Sequence, residues 1–154
     1  MNSLQIENNI NIEDLIYNVR GKQVMLDSDL ARLYKCTNGT KDINKAVNRN
    51  INRFPEDFYF QLTDQETESL WFQIGTKKTK IETRGGRFKN PKVFTEQGVS
   101  MLASVLHTEI AVEISVNIMR SFVKMRRYFA SDNEILLNHE SRLLVLEKKE
   151  NVKN

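Results

Sequence analysis

The stretch SDLARLYKCTNGTKDINKAVNRNINRFP, residues 28–55, decides the reading of the fold. Ser28 is a good helix N-cap, and Asp29 places negative charge in the positive first turn. Leu30, Leu33 and Tyr34 then recur at i, i+3 and i+4, the spacing of a short amphipathic helix over 28–35. Cys36-Thr37-Asn38-Gly39-Thr40 ends it, because Asn-Gly tolerates the positive φ angles of a tight turn. A second helix is predicted from about residue 40 to 53. At 100° per residue Ile43, Val47, Ile51 and Phe54 fall within about an 80° arc, with Ala46 on its flank. Lys41, Lys45, Asn48, Arg49 and Asn52 point away from that arc, with Asp42 towards the margin, and Pro55 stops the helix. Two helices about a short turn form a helix-turn-helix-like pair, whose second helix fits the DNA major groove.

Upstream, residues 1–12 carry no periodicity and predict a disordered tail. Asp14–Val19 and Gln23–Leu26 around Arg20-Gly21-Lys22 predict a β-hairpin. Downstream, Phe58–Leu62 predicts a strand. Thr63 and Glu66 form a capping box that opens a helix through Trp71 or Phe72. Residues 75–91 predict loop and ribbon, with Arg84-Gly85-Gly86-Arg87 as a hairpin tip. Val93-Phe94 resumes a strand. Thr95 caps a helix to about Leu106, with Val99, Leu102, Ala103 and Leu106 inward. Thr108 caps a longer one to about Phe129, carrying Val112, Val116, Met119, Val123 and Met125. The fold class is therefore α+β: a small compact domain over 13–130 with the helix pair, short β-hairpins and a long C-terminal helix. Residues 131–154 are a helical appendage. Leu136, His139, Leu143, Leu146 and Glu150 recur at heptad positions, but over only about two heptads, so a weak coiled coil forming a homodimer and a linker both fit.

Composition excludes whole classes. No apolar run approaches the roughly 20 residues of a membrane span, and no signal-peptide layout opens the chain. One cysteine, Cys36, cannot close an internal disulfide, and with two histidines makes a poor zinc set. A reduced, cytoplasmic setting follows. The net charge of +3 conceals a strong separation of sign. Between Thr76 and Lys92 stand seven bases, Lys77, Lys78, Lys80, Arg84, Arg87, Lys89 and Lys92, against Glu82 alone. That window carries +6, leaving −3 for the rest. Residues 56–70 hold Glu56, Asp57, Asp64, Glu66 and Glu68 and no base, while Arg120, Lys124, Arg126 and Arg127 cluster without an acid.

A polyanion is the partner this pattern suits. Asn reads adenine through two hydrogen bonds, and Arg or Lys reads guanine, so Lys45, Asn48, Arg49 and Asn52 form a chemically apt reading surface. Lys41, Arg53 and the basic ribbon suit phosphates, where neutralisation releases condensed counterions. A solvated helix face has the same composition as the ridge. A soluble loop, by contrast, needs no such one-sided charge as the ribbon carries. The bases at 120–127 fit phosphates or the negative end of a helix dipole equally well. Phe58, Tyr59, Phe60, Trp71 and Phe72 are assigned to core.

Enzyme readings find little. Asp27, Asp29, Glu56, Asp57 and Asp64 sit at predicted caps, turns and helix starts rather than in a metal-binding cluster. No nucleophile stands at a recognisable spacing from His107 or His139, and no phosphate-cradling glycine loop is present. The expectation is no enzyme, no cofactor and no metal.

The series VRGKQVMLDSDLARLY, INKAVNRNINRFPEDFYFQLT, TRGGRFKNPKVFTEQGVSMLASVL and IAVEISVNIMRSFVKMRRY resembles the ORF-six-N domain, over about residues 13–128. That family stands with the KilA-N and Bro-N modules of phage and large-DNA-virus proteins, antirepressors among them. The resemblance implies an α+β DNA-binding module with Asp29–Tyr34 and Ile43–Arg53 as its helical pair and the Gly85-Gly86 ribbon beside it. It supplies no fixed set of base-contacting residues. Its relatives tend to have a tighter glycine-containing turn than Cys36–Thr40, and a long effector region for which residues 131–154 leave little room. The expected role is double-stranded DNA binding in phage or prophage transcription regulation. The rival is an antirepressor that titrates a repressor protein, through the acidic stretch 56–68 or the terminal helix, without reading DNA.

Overall fold

The structure is a computed structural model, described over residues 11–77 and 90–128. Its order begins with a 3-10 turn at Ile12–Leu15, opened by Asn11, whose side chain accepts from the Glu13 N–H. Asn11 and Ile12 thus belong to the fold rather than to a tail, and Ile12 packs against the core. Strands β1 (Tyr17–Val19) and β2 (Lys22–Leu26) form the expected antiparallel hairpin. Arg20 (φ 55°) and Gly21 (φ 73°) both turn left-handed, the two-residue geometry whose twist matches its strands.

Helix α1 (Asp27–Leu33) follows β2 directly. Ser28 does not cap it; the helix starts one residue earlier, and the Asp27 carboxylate accepts from the Ser28 N–H at 2.8 Å. Lys35 (φ 56°) closes α1, with Cys36 N–H donating to Ala31 O and Lys35 N–H to Arg32 O, a Schellman ending. Gly39 (φ 60°) supplies the second left-handed residue before α2 (Thr40–Arg49).

The predicted helix 40–53 is interrupted at Asn50 (φ −130°, ψ 34°). Its Nδ2 donates to Ala46 O at 2.9 Å, taking the carbonyl that its own backbone N–H would use in an unbroken helix. That N–H bonds Val47 O instead, and a 3-10 turn, Ile51–Arg53, follows. The break resets the phase. Ile43 and Val47 are fully buried and Phe54 is buried, but Ile51 is 52% exposed instead of facing the core.

Strand β3 (Tyr59–Gln61) leads into α3 (Asp64–Lys77). The capping box forms reciprocally: Glu66 N–H donates to Thr63 Oγ1, and Thr63 N–H to Glu66 Oε1. The helix runs further than the predicted Phe72 and takes in 75–77, where loop is expected from the sequence. Strand β4 (Lys92–Thr95) and α4 (Glu96–Leu106) are as expected, with Thr95 capping through Gly98 N–H. His107 (φ 56°) ends α4. Thr108 then caps α5, helical over 109–128, by accepting from Ala111 N–H at 3.0 Å.

The sheet order is β1-β2-β4-β3, antiparallel throughout. Strand β4 is central, and its partners come from distant parts of the chain, so β1–β2 is the one hairpin among the described residues. Both sheet faces are covered. Met25 and Phe94 face one core with α1, α2, α4 and α5, while Val24, Leu26, Phe60 and Val93 face a second with Leu70 and Ile74 of α3. This explains why β2 reads apolar without alternation.

On α5 the apolar residues picked out by the sequence are not the ones most deeply buried. Ala111, Ile114, Ile118 and Phe122 are buried, whereas Val112 is 58% and Val116 46% exposed; Met119, Val123 and Met125 are partly buried. The helix carries two apolar stripes about a quarter-turn apart, and periodicity alone does not say which one meets the core. Phe72 is likewise exposed rather than core, while Trp71 is partly buried.

Candidate nucleic-acid interface

Two motifs of the sequence meet at one residue. Thr95 Oγ1 donates to Asp57 O at 2.8 Å, Thr95 N–H donates to Phe58 O at 3.0 Å, and the same hydroxyl accepts from Gly98 N–H. A Cβ on Gly98 would sit 1.8 Å from the Phe58 oxygen. The stretch RFPEDF and the stretch FTEQG are thereby locked together, which holds α4 against the chain leaving α2.

On that frame α2 presents its ridge. Lys41, Lys45, Asn48 and Arg49 recur at i, i+4, i+7 and i+8, and all are exposed. Asn52 and Arg53 are exposed too, but on the 3-10 turn, so they continue the ridge out of helical phase. Asp42 is withdrawn from it: its carboxylate accepts from Asn38 N–H at 3.1 Å and Asn38 Nδ2 at 3.2 Å. The ridge therefore shows cations and amides alone.

The basic segment is anchored at both ends. It leaves from the end of α3 at Lys77 and returns at Asn90. There Asn90 Nδ2 donates to Asp64 Oδ1 at 2.6 Å, Gln61 Nε2 to Asn90 O, and Leu62 N–H to Pro91 O. Lys78, Lys80, Arg84, Arg87, Lys89 and the Gly85-Gly86 tip lie outside the described residues, as does 131–154. Lys92 is partly buried, its Nζ 5.8 Å from the centroid of the Tyr59 ring. Tyr59 in turn stacks against Phe54 and Phe94 at 6.1 and 5.0 Å between centroids. The return of the basic segment is thus joined by aromatic contacts to the residue that follows Arg53.

The sheet also carries an ion pair that composition did not announce. Arg20, at the hairpin tip, forks onto Glu66 at 2.7 and 2.8 Å, reaches Gln61 O, and lies 4.3 Å over the Phe60 ring. This guanidinium, with the Thr63 N–H, holds the Glu66 carboxyl down at about 2. Nearby acids have structural partners as well: Asp29 pairs with Arg32, and Asp64 with Asn90. Burial pushes the Asp27 carboxyl up, against hydrogen bonds from the Ser28 and Lys92 backbone. Among the described residues no three of His, Cys, Asp or Glu gather as a metal site. Cys36 is half-buried against the core, and burial raises its thiol. At the other cluster, Arg126 pairs with Glu96 and Lys124 with Glu13, so half of it is engaged within the domain.

A family model described as ORF6N domain matches residues 14–105. The match covers well over half of the 154 residues, and the chain belongs to the ORF6N domain family, a phage-type regulatory family. It reaches from the 3-10 turn through all four strands to the last turn of α4, and leaves α5 beyond it. Comparison with curated proteins and with solved structures finds no match. No helix among the described residues is long and apolar enough to cross a membrane.

Proposed function

We propose that the chain is a double-stranded DNA-binding module of a phage- or prophage-type regulator. Helix α2 enters the major groove with Lys45, Asn48 and Arg49 at base edges, and Asn52 follows at the groove's margin. Lys41, Arg53, Lys92 and the basic segment hold phosphates. The observation that carries this reading is the exposure of the whole ridge together with the removal of Asp42 from it. An anion approaching α2 meets donors without an opposing carboxylate, which is the electrostatic condition for groove entry. No catalytic step is assigned to the domain.

Selection of bound duplexes from a random pool tests the reading. A reader at position 48 predicts that Asn48→Ala loses about 1–3 kcal/mol on the selected sequence and little on others. Lys77, Lys78 and Lys80 replaced by Ala lose affinity evenly over all sequences. No enrichment from the pool, with co-migration of a repressor protein instead, points to the antirepressor that works by protein contact alone.

A further inference from the structure

We propose that α5 is a self-association surface whose occupant is a second copy of this chain, packed antiparallel. The inner stripe of α5 serves the core. The outer stripe, Val112, Val116, Met119 and Val123, is spaced 4, 3 and 4, the seam of a two-helix coiled coil. Val112 and Val116 are about half exposed and nothing among the described residues covers them.

Charge beside the seam selects the partner and its direction. Glu109 and Glu113 flank the N-terminal half, and Arg120, Lys124 and Arg127 the C-terminal half. Among the described residues, Lys124 is held by Glu13, whereas Glu113, Arg120 and Arg127 have no ion-pair partner. A second copy running parallel sets like against like. Running antiparallel, it lays each copy's Glu113 beside the other's Arg120, and Glu109 towards the other's Arg127, while Val112 meets Val123 and Val116 meets Met119. The same patch then serves both subunits, the self-complementary geometry of a two-fold dimer. With a seam of two heptads, the dimer is concentration-dependent.

Sedimentation equilibrium of the full chain over a wide micromolar range, without DNA, tests this separately from any DNA reading. The wild type passes from monomer to dimer as concentration rises. Val116→Asp puts a charge in the seam and raises the dissociation constant by at least about tenfold. Glu113→Arg and Arg120→Glu each weaken the dimer several-fold, and the double variant restores it. The charge exchange keeps the test open if Val116→Asp disturbs the fold, which circular dichroism reports. A chain monomeric at every concentration, a dimer indifferent to these changes, or a double variant no better than the singles overturns the proposal.

Discussion

The ammonium of Lys92 lies 5.8 Å from the ring centroid of Tyr59, and that contact joins the basic segment to the α2 side of the sheet. Lys92 and Phe94 alternate onto the same face of β4, and Tyr59 bridges them to Phe54. Phe54 directly follows the turn that carries Asn52 and Arg53. Lys92→Ala should weaken DNA binding on all sequences and reduce the steepness of its salt dependence by about 0.9 in log–log slope. An unchanged slope in fluorescence anisotropy titrations means that Lys92 serves only the Tyr59 contact.

Gly98 makes the sharpest stability prediction. Its missing side chain admits the Phe58 carbonyl, so Gly98→Ala should cost about 3 kcal/mol or more by forcing backbone apart. Gly39→Ala meets no neighbour but keeps a positive φ, and should cost about 1 kcal/mol. Urea unfolding midpoints compare the two; equal losses would mean α4 is not seated against Phe58.

Tyr34 and Ser115 share a buried hydrogen bond of 2.8 Å that ties the end of α1 to α5. Burial pushes the Tyr34 phenol up to about 12. Tyr34→Phe strands the serine hydroxyl and should destabilise by about 1–2 kcal/mol. Adding Ser115→Ala should recover part of that loss, which double-mutant unfolding measures.

Stability should fall with acid through Glu66. Its carboxyl sits at about 2 in the folded chain, below its ordinary 4.5, so it stabilises the fold above that ordinary value. The contribution is lost as pH drops from about 4.5 towards 2. Asp27 acts oppositely, because its raised carboxyl makes protonation favour the fold. Arg20→Gln isolates the first effect: stability should become flatter between pH 5 and 2 (roughly the window in which a depressed carboxylate titrates). A chemical-denaturation series that keeps the wild-type slope in this variant places the acid sensitivity elsewhere.

Local rules carried the hairpin, the short α1 itself though not its predicted Ser28 cap, the capping box at Thr63 and Glu66, and the Thr95 cap, because each depends on residues within a few positions. What escaped them depends on competition or on distance. Asn50 breaks α2 because its amide wins a carbonyl, something its place in an apolar period does not display. On α5, two stripes of similar hydrophobicity left the inward face open until α1 and α4 chose Ala111, Ile114, Ile118 and Phe122. The Arg20–Glu66 fork joins residues 46 apart and has no periodic sign. The ridge of Lys41, Lys45, Asn48 and Arg49 was legible because it is local to one helix. The withdrawal of Asp42 became visible only with the geometry of Asn38.

The most direct measurement of the central claim is the dissociation constant of the full chain on a duplex as salt is raised. Six neutralised phosphates predict that log affinity falls against log salt with a slope of about −5, and that Lys45→Ala with Arg49→Ala makes the slope shallower. Affinity indifferent to salt, or a slope the ridge variants leave untouched, would contradict groove entry by α2.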